Sequence, residues 1–173
     1  MHHNFCPHCG CKLIERQAGD DGLVPFCPSC NRYWFDSFAS CVIIMVVNEQ
    51  REIAMLRQSY LSTQYETFVA GFMVPGETAE QTAVREVREE LGLAVERLEY
   101  AGTHWFAERE QLMHAFIGYV RKAPFVLSQE VDSAVWIPTD EAPAHMFPDR
   151  PGNAQHTIWR QYVGSLSTNT TND

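Results

Sequence analysis

Between Gly71 and Leu93 the chain spells out one helix together with both of its ends, and this stretch constrains the fold more than any other. Thr78 and Gln81 have the spacing of a capping box, in which each side chain accepts a hydrogen bond from the other residue's backbone N–H. Gly92 suits the left-handed position that closes a helix. At about 100° per residue Val84, Val87 and Leu91 fall on one stripe, so the helix is expected to pack on a sheet through that stripe. Glu86, Glu89 and Glu90 fall on a different side. Like charges at helical spacing repel one another, so water or a counter-charge has to offset them. Clustered carboxylate oxygens are what a hard divalent cation such as Mg²⁺ requires. Glu77, at the junction of loop and helix, is close enough to join them. Arg85 precedes Glu89 by four residues and can pair with it. The glycine loop before the helix lets backbone come close to such a site. Judged on charge pattern alone, a solvated acidic helix face is the favoured reading of these residues.

The rest of the chain bounds what surrounds this helix. Its 173 residues suit one ordinary domain with a small appendage, and an apolar fraction of 45% can fill a core. The formal charge of −9 argues against a broad basic footprint for nucleic acid, although it leaves a local basic patch open. An anionic substrate then needs metal ions or local arginines. The longest apolar run, Cys41 to Val47, fits a buried strand and is too short to span a membrane. No apolar signal region opens the chain, so the default expectation is a cytoplasmic protein with reduced thiols. His2 and His3 are given no role.

Four of the six cysteines form two pairs, Cys6-Pro-His-Cys9 and Cys27-Pro-Ser-Cys30, with 17 residues between them. This is the spacing of a closed four-sulfur zinc site, in which two tight turns aim two thiolates each at one centre. Too few apolar residues lie in 1–35 for an independent core, so zinc is expected to supply much of that segment's folding energy. The segment 1–38 therefore reads as a zinc ribbon. Cys11 and Cys41 fall outside the pattern.

Periodicity orders the remainder. A buried strand is expected at 40–47, a turn at Asn48–Arg51, and a second strand at Glu52–Gln58 with Ile53 and Met55 opposite Ala54 and Leu56. Further strands are expected at Thr67–Phe72, Val95–Phe106, Leu112–Arg121 and Ala134–Pro138. A last helix follows at Ala154–Val163, and then a polar, frayed tail. Strands and helices mix without regular alternation, which favours an α+β fold or mixed-sheet sandwich.

Written by spacing, the opening stretch is Gly71-x5-Glu77-x7-Arg85-Glu86-Val87-x-Glu89-Glu90-x-Gly92-Leu93. It resembles the Nudix box, Gx5Ex7REUxEExGU with U aliphatic, at every defined position. The resemblance implies an α/β/α sandwich with a mixed sheet over 39–165, preceded by the ribbon and followed by a flexible tail at 166–173. It implies hydrolysis of a nucleoside diphosphate linkage by water attack on phosphorus. Glu86, Glu89 and Glu90 are then ligands of Mg²⁺ or Mn²⁺, Glu77 supports them, and Arg85 orients a carboxylate. Glu130 resembles a further glutamate that assists outside the box, or else it is an ordinary surface carboxylate.

A four-cysteine ribbon ahead of such a domain resembles the NADH pyrophosphatase group, whose members release AMP and nicotinamide mononucleotide from NAD(H) and form homodimers. That group carries Ser-Gln-Pro-Trp-Pro-Phe-Pro-x-Ser and then Leu-Met after the box. Here the segment Thr103–Gln111, followed by Leu112-Met113, agrees in length and ending but not in its proline–aromatic pattern. Trp105 and Phe106 either stack on a base or belong to the core. Alternative substrates are ADP-ribose, FAD or a nucleoside triphosphate. A reading of another class is a ligand-sensing regulator whose ribbon contacts nucleic acid or protein. The intact glutamates count against that last reading.

Overall fold

A computed structural model describes residues 3–169. The chain divides after Ala39 into two compact units.

The first unit is a three-stranded antiparallel sheet built from β1 (Ile14–Gln17), β2 (Leu23–Cys27) and β3 (Arg32–Tyr33). Cys6 and Cys9 sit on one tight turn, closed by Gly10 N–H donating to the Cys6 carbonyl at 2.8 Å. Cys27 ends β2, and Cys30 lies on the turn to β3. The apolar content is small, as the composition requires: Val24 and Phe26 are its buried large residues, and the Arg16 guanidinium lies 4.4 Å from the centre of the Phe26 ring.

The second unit is a mixed six-stranded sheet between two helices. Its strands are β4 (Ala39–Asn48), β5 (Glu52–Arg57), β6 (Val69–Phe72), β7 (Val95–Phe106), β8 (Gln111–Val120) and β9 (Ser133–Pro138). The order is β7-β8-β4-β5-β9, with β6 paired to β4 through Cys41–Ile44. The helices are α1 (Ala79–Leu91) and α2 (Ala154–Asn169).

Alternation along β4 and β5 divides the core in two. Ile43, Met45, Val47, Ile53 and Met55 pack with Ile158 and Tyr162 of α2. Val42, Ile44, Val46, Ala54 and Leu56 pack with Ala83, Val87 and Leu91 of α1. A strand buried on both faces has to read as a continuous apolar run, which is what Cys41 to Val47 is. The turn between β4 and β5 is held by Asn48, whose side-chain oxygen accepts from the backbone N–H groups of Gln50 (2.9 Å) and Glu52 (3.1 Å).

Three expectations need correction. The buried stripe of α1 is Ala83, Val87 and Leu91, whereas Val84 is 42% exposed. Only the first member differs: Ala83, Val87 and Leu91 form one i, i+4, i+8 ridge against the sheet, and Val84 falls at its edge. Glu90 was expected on the side away from the core, but it is 3% exposed. Helix α2 runs past Val163 to Asn169, so the polar segment expected to fray is helical that far. The expected tail beyond it, 170–173, lies outside the described residues, as does His2.

Candidate active site

Helix α1 begins and ends as its sequence demands. Thr78 Oγ1 accepts from the Gln81 amide at 3.3 Å, and Gln81 Oε1 accepts from the Thr78 amide at 2.9 Å. Gly92 closes the helix with φ +70°, and a β-carbon there would come within 2.6 Å of Val126. Both the conformation and the crowding select glycine. The caps fix where the helix starts and stops, and the packing of Ala83, Val87 and Leu91 on the sheet sets its rotation and with it the placement of each glutamate.

Arg85 is the hub of the acidic face. Its Nε donates to Glu77 Oε1 at 2.9 Å, and Nη1 donates to Glu86 Oε1 at 2.7 Å and to Glu89 Oε2 at 2.9 Å. Nη2 donates to the Phe72 carbonyl at 3.1 Å, which ties the helix to the end of β6. Thr82 Oγ1 donates to Glu77 Oε2 at 2.8 Å. One cation thus touches three carboxylates, which answers the repulsion along the helix. The Arg85 guanidinium holds the Glu77 carboxyl below the usual carboxylate range.

Glu86 and Glu90 are in a different state. Glu86 fills the space over Gly71, where a β-carbon would lie 2.0 Å from its carboxyl carbon. Burial raises its pKa, against the pull of Arg85. Glu90 lies deeper. Burial first, and then the charge of Glu86, push its carboxyl up to about 8. Its Oε1 accepts from Gln58 Nε2 at 3.4 Å. Its Oε2 is buried and has no hydrogen-bond partner. An unpartnered buried carboxylate oxygen is costly unless a cation or proton satisfies it.

Glu130 reaches this pair from another element. After β8 the chain crosses the C-terminal end of α1, with Val126 N–H donating to the Leu91 carbonyl (2.9 Å) and Ser128 N–H to the Glu90 carbonyl (3.4 Å). Ser128 Oγ then accepts from the Glu130 amide at 3.3 Å. Glu130 is exposed, yet its charge raises the pKa of both Glu86 and Glu90. The structure therefore brings Gly71, Glu77, Arg85, Glu86, Glu89, Glu90 and Glu130 into one region. Trp105 and Phe106 close β7, an edge strand of the sheet, and the charge of Arg109, three residues beyond Phe106, acts on Tyr60 together with those of Glu90 and Glu130. Trp105 is 48% exposed and is not a core residue.

Two residues of the site were missed by sequence reasoning. Gln58, which follows β5, bonds Glu90, and Tyr60, in the turn after it, is near enough that partial burial first, and then the charges of Glu90 and Glu130, raise its phenol pKa. Gln58 left a readable signal. It continues the alternation of Ala54 and Leu56 as a polar residue on an apolar face. Tyr60 left none.

The donor sets can be tested against the metals that the sequence suggests. In the first unit the four cysteine sulfurs lie within 4.8 Å of one another. Cys9 and Cys27 are 3.5 Å apart, and Cys6 and Cys30 are 3.9 Å apart. A tetrahedral zinc with bonds of about 2.3 Å sets its sulfurs about 3.8 Å apart, so this cage can hold zinc. The carboxylates are less closed. Among the described residues no other set brings three ligand atoms so close. The acidic site nevertheless fits a hard cation, because Glu90 Oε2 is buried and unsatisfied beside Glu86.

Comparison with known proteins agrees with this geometry. The NUDIX domain profile matches residues 37–159. The NAD-capped RNA hydrolase NudC of Pseudomonas aeruginosa (strain LESB58) is 32% identical over 163 residues, covering 94% of this chain and 55% of that protein. The enzyme of the same name from Chromobacterium violaceum is 30% identical, covering 84% of this chain and 54% of its own length. The chain thus spans about half the length of these curated relatives. Among solved structures, a NUDIX hydrolase from Nitrosomonas europaea superimposes with a TM-score of 0.69 at 21% identity, over 94% of this chain and 91% of that one. The NUDIX domain of Shewanella oneidensis NrtR, solved with ADP ribose, gives a TM-score of 0.61 at 14% identity over 80% of this chain and 93% of that one. These structural likenesses speak to the fold alone. With its box helix, its glutamates and its sheet in place, the chain belongs to the NUDIX domain family.

Proposed function

We propose that this protein is a metal-dependent pyrophosphatase that cleaves the diphosphate of NADH, NAD⁺ or a closely related dinucleotide, giving AMP and a mononucleotide. The observation that carries the reading is Glu90, a buried carboxylate with one unpartnered oxygen beside Glu86, on the helix that Arg85 braces. Glu86, Glu89 and Glu90 would hold Mg²⁺ or Mn²⁺. A cation held there supplies the positive charge that offsets the substrate's diphosphate and the charge developing as water attacks phosphorus. Arg85 fixes the rotamers of Glu86 and Glu89 from one side. Glu77 holds Arg85 in place, and Glu130 would add a further carboxylate from the segment between β8 and β9. Two curated relatives are named as NAD-capped RNA hydrolases, which supports an NAD-like group as the part of the substrate recognised here.

In the first unit Cys6, Cys9, Cys27 and Cys30 would hold a structural zinc. None of the six cysteines is paired in a disulfide, which suits a reducing compartment such as the cytoplasm. No helix among the described residues is long and apolar enough to cross a membrane. The resemblance further implies a homodimer, which light scattering at micromolar concentration tests.

The deciding experiment is a substrate panel of NADH, NAD⁺, ADP-ribose, FAD and an RNA oligonucleotide with a 5′ NAD cap, each with Mg²⁺ or Mn²⁺. Hydrolysis of NADH, NAD⁺ or the capped RNA within their diphosphate is the expected result. Cleavage of ADP-ribose or FAD alone moves the substrate and keeps the chemistry. Tight binding of one of these ligands without cleavage of any would replace the enzyme reading by a ligand sensor.

A further inference from the structure

Gln58 is 4% exposed, and it is the side chain that hydrogen-bonds the buried Glu90. It comes from the end of β5, on the face shared by Ala54 and Leu56, and so approaches Glu90 from the sheet. Its Nε2 donates to Oε1, the Ala70 amide also favours the ionised carboxyl, and Oε2 is left with no hydrogen bond of good geometry. The asymmetry has a consequence. A carboxylate free to rotate about its last bond presents either oxygen, whereas one tethered through Oε1 presents Oε2 in a fixed direction. The anchoring of Gln58 makes the tether stiff. The carbonyl of Arg57, the residue before it, accepts from the Asp132 amide at 2.9 Å, and the Asp132 carboxylate accepts from the amide of Ser59, the residue after it, at 2.5 Å. Both backbone neighbours of Gln58 are thus pinned to one residue immediately before β9, the strand beside β5.

We infer that Gln58 is a positioning residue for the metal site: it holds Glu90 so that Oε2 is offered to a divalent cation. The inference rests on the assignment of Glu90 as a metal ligand in the proposed function. Partners that orient a ligand are worth about 10- to 100-fold in metal affinity, and Gln58 is expected to fall in that range. Its amide side chain does not touch the reacting atoms. It acts through Glu90.

The test measures Mn²⁺ binding to the zinc-loaded protein by electron paramagnetic resonance of free Mn²⁺, without substrate. The variants are Gln58→Met, Gln58→His, Glu90→Gln and the double variant Gln58→Met with Glu90→Gln. Gln58→Met should raise the Mn²⁺ dissociation constant about 10-fold or more with the melting temperature retained. Gln58→His should recover much of the loss, because its Nε2–H stands as many bonds from the β-carbon as the glutamine amide does. In the Glu90→Gln background Gln58→Met should add nothing, since the two act as one unit. If Glu90→Gln weakens Mn²⁺ binding and Gln58→Met does not, the inference about Gln58 fails and the metal assignment stands. If Glu90→Gln itself leaves binding unchanged, both fail. Full additivity of the two changes would also overturn the inference. Should Gln58→Met not fold, Gln58→Asn retracts the amide by one methylene and carries the same comparison.

Discussion

Gly71 and Glu86 compete for the same space: a β-carbon on residue 71 would stand 2.0 Å from the Glu86 carboxyl carbon and 2.0 Å from its Oε1. The glycine is therefore required by what lies opposite it. Backbone conformation does not require it, because Gly71 is not among the residues with positive φ. It belongs to β6 and pairs in register with Val42 of β4.

The first prediction follows from that contact. In Gly71→Ala the new methyl group must displace the Glu86 carboxylate, which is the free end of a flexible side chain. The fold should survive with a loss of about 1 kcal/mol or less. Hydrolysis should drop about 10²-fold, since a misplacement of about 1 Å in an active site is that costly. Thermal melting and steady-state kinetics check the two halves separately. An alanine variant with full activity would mean that Glu86 need not sit where it does.

The second prediction concerns the cysteine cage. The purified protein should carry about one zinc per chain, read by elemental analysis. Cys27→Ser should lose the metal, because Cys27 is buried among the other three thiols. The first unit has too small a core to stay folded without metal, so limited proteolysis of that variant should cut within residues 1–39. Protein that holds no tightly bound metal would refute the assignment.

How far the sequence reveals this molecule depends on the range of the interaction involved. The limits of α1 were readable because its caps are local, with Thr78 and Gln81 three residues apart. The continuous apolar run of β4 likewise announced a strand covered on both faces. The burial of Glu90 was not readable. A stripe drawn through Val84 leaves Glu90 on its far flank, whereas the stripe that is buried starts at Ala83, seven residues before Glu90 and so nearly in line with it, and Gln58 at the end of β5 meets it there. The full reach of Arg85 was hidden for a similar reason. Its pairing with Glu89 is an i,i+4 contact, but its bonds to Glu77 and to the Phe72 carbonyl depend on how the loop folds back. Glu130 was locatable by resemblance alone, since the segment that delivers it spans the end of a helix far away in sequence.

A third prediction uses the burial of Glu90. Its carboxyl is pushed up to about 8 in the fold, from an ordinary value near 4.5. The native state therefore binds more protons than the unfolded chain between these values, and stability falls as pH rises through that window. Below about 4.5 both states are protonated and the penalty is absent. Above about 8 it is fully present. Glu90→Gln cannot ionise. In buffer without Mg²⁺ or Mn²⁺ it should melt several degrees higher than wild type at pH 8, and the gap should shrink toward pH 5. Added Mg²⁺ should narrow the gap at pH 8 by stabilising wild type alone. A difference in melting temperature that does not vary with pH would contradict the buried, protonated carboxyl.

The last prediction separates a metal site from a solvated acidic face, which the charge pattern alone did not. Glu89 is the test residue because its side chain is 56% exposed, so its removal leaves the core intact. Its one direct partner is Arg85 Nη1, which keeps its second bond, to Glu86. Glu89→Gln retains size and loses charge, and an exposed pair of this kind is worth about 0.3–0.5 kcal/mol. Melting should therefore be nearly unchanged. If the carboxylate serves the catalytic cation, the lost charge is felt most strongly in the transition state, and hydrolysis of the best substrate should fall about 10²-fold, a barrier increase of about 2.7 kcal/mol. The loss should appear in kcat and in kcat/KM alike, because an interaction realised in the transition state is missing from both. Raising Mg²⁺ should not restore the rate if Glu89 acts on the reacting water, but should restore part of it if Glu89 only helps to hold the ion. A variant that hydrolyses within a few-fold of wild type at every Mg²⁺ concentration would return Glu89 to the solvated face.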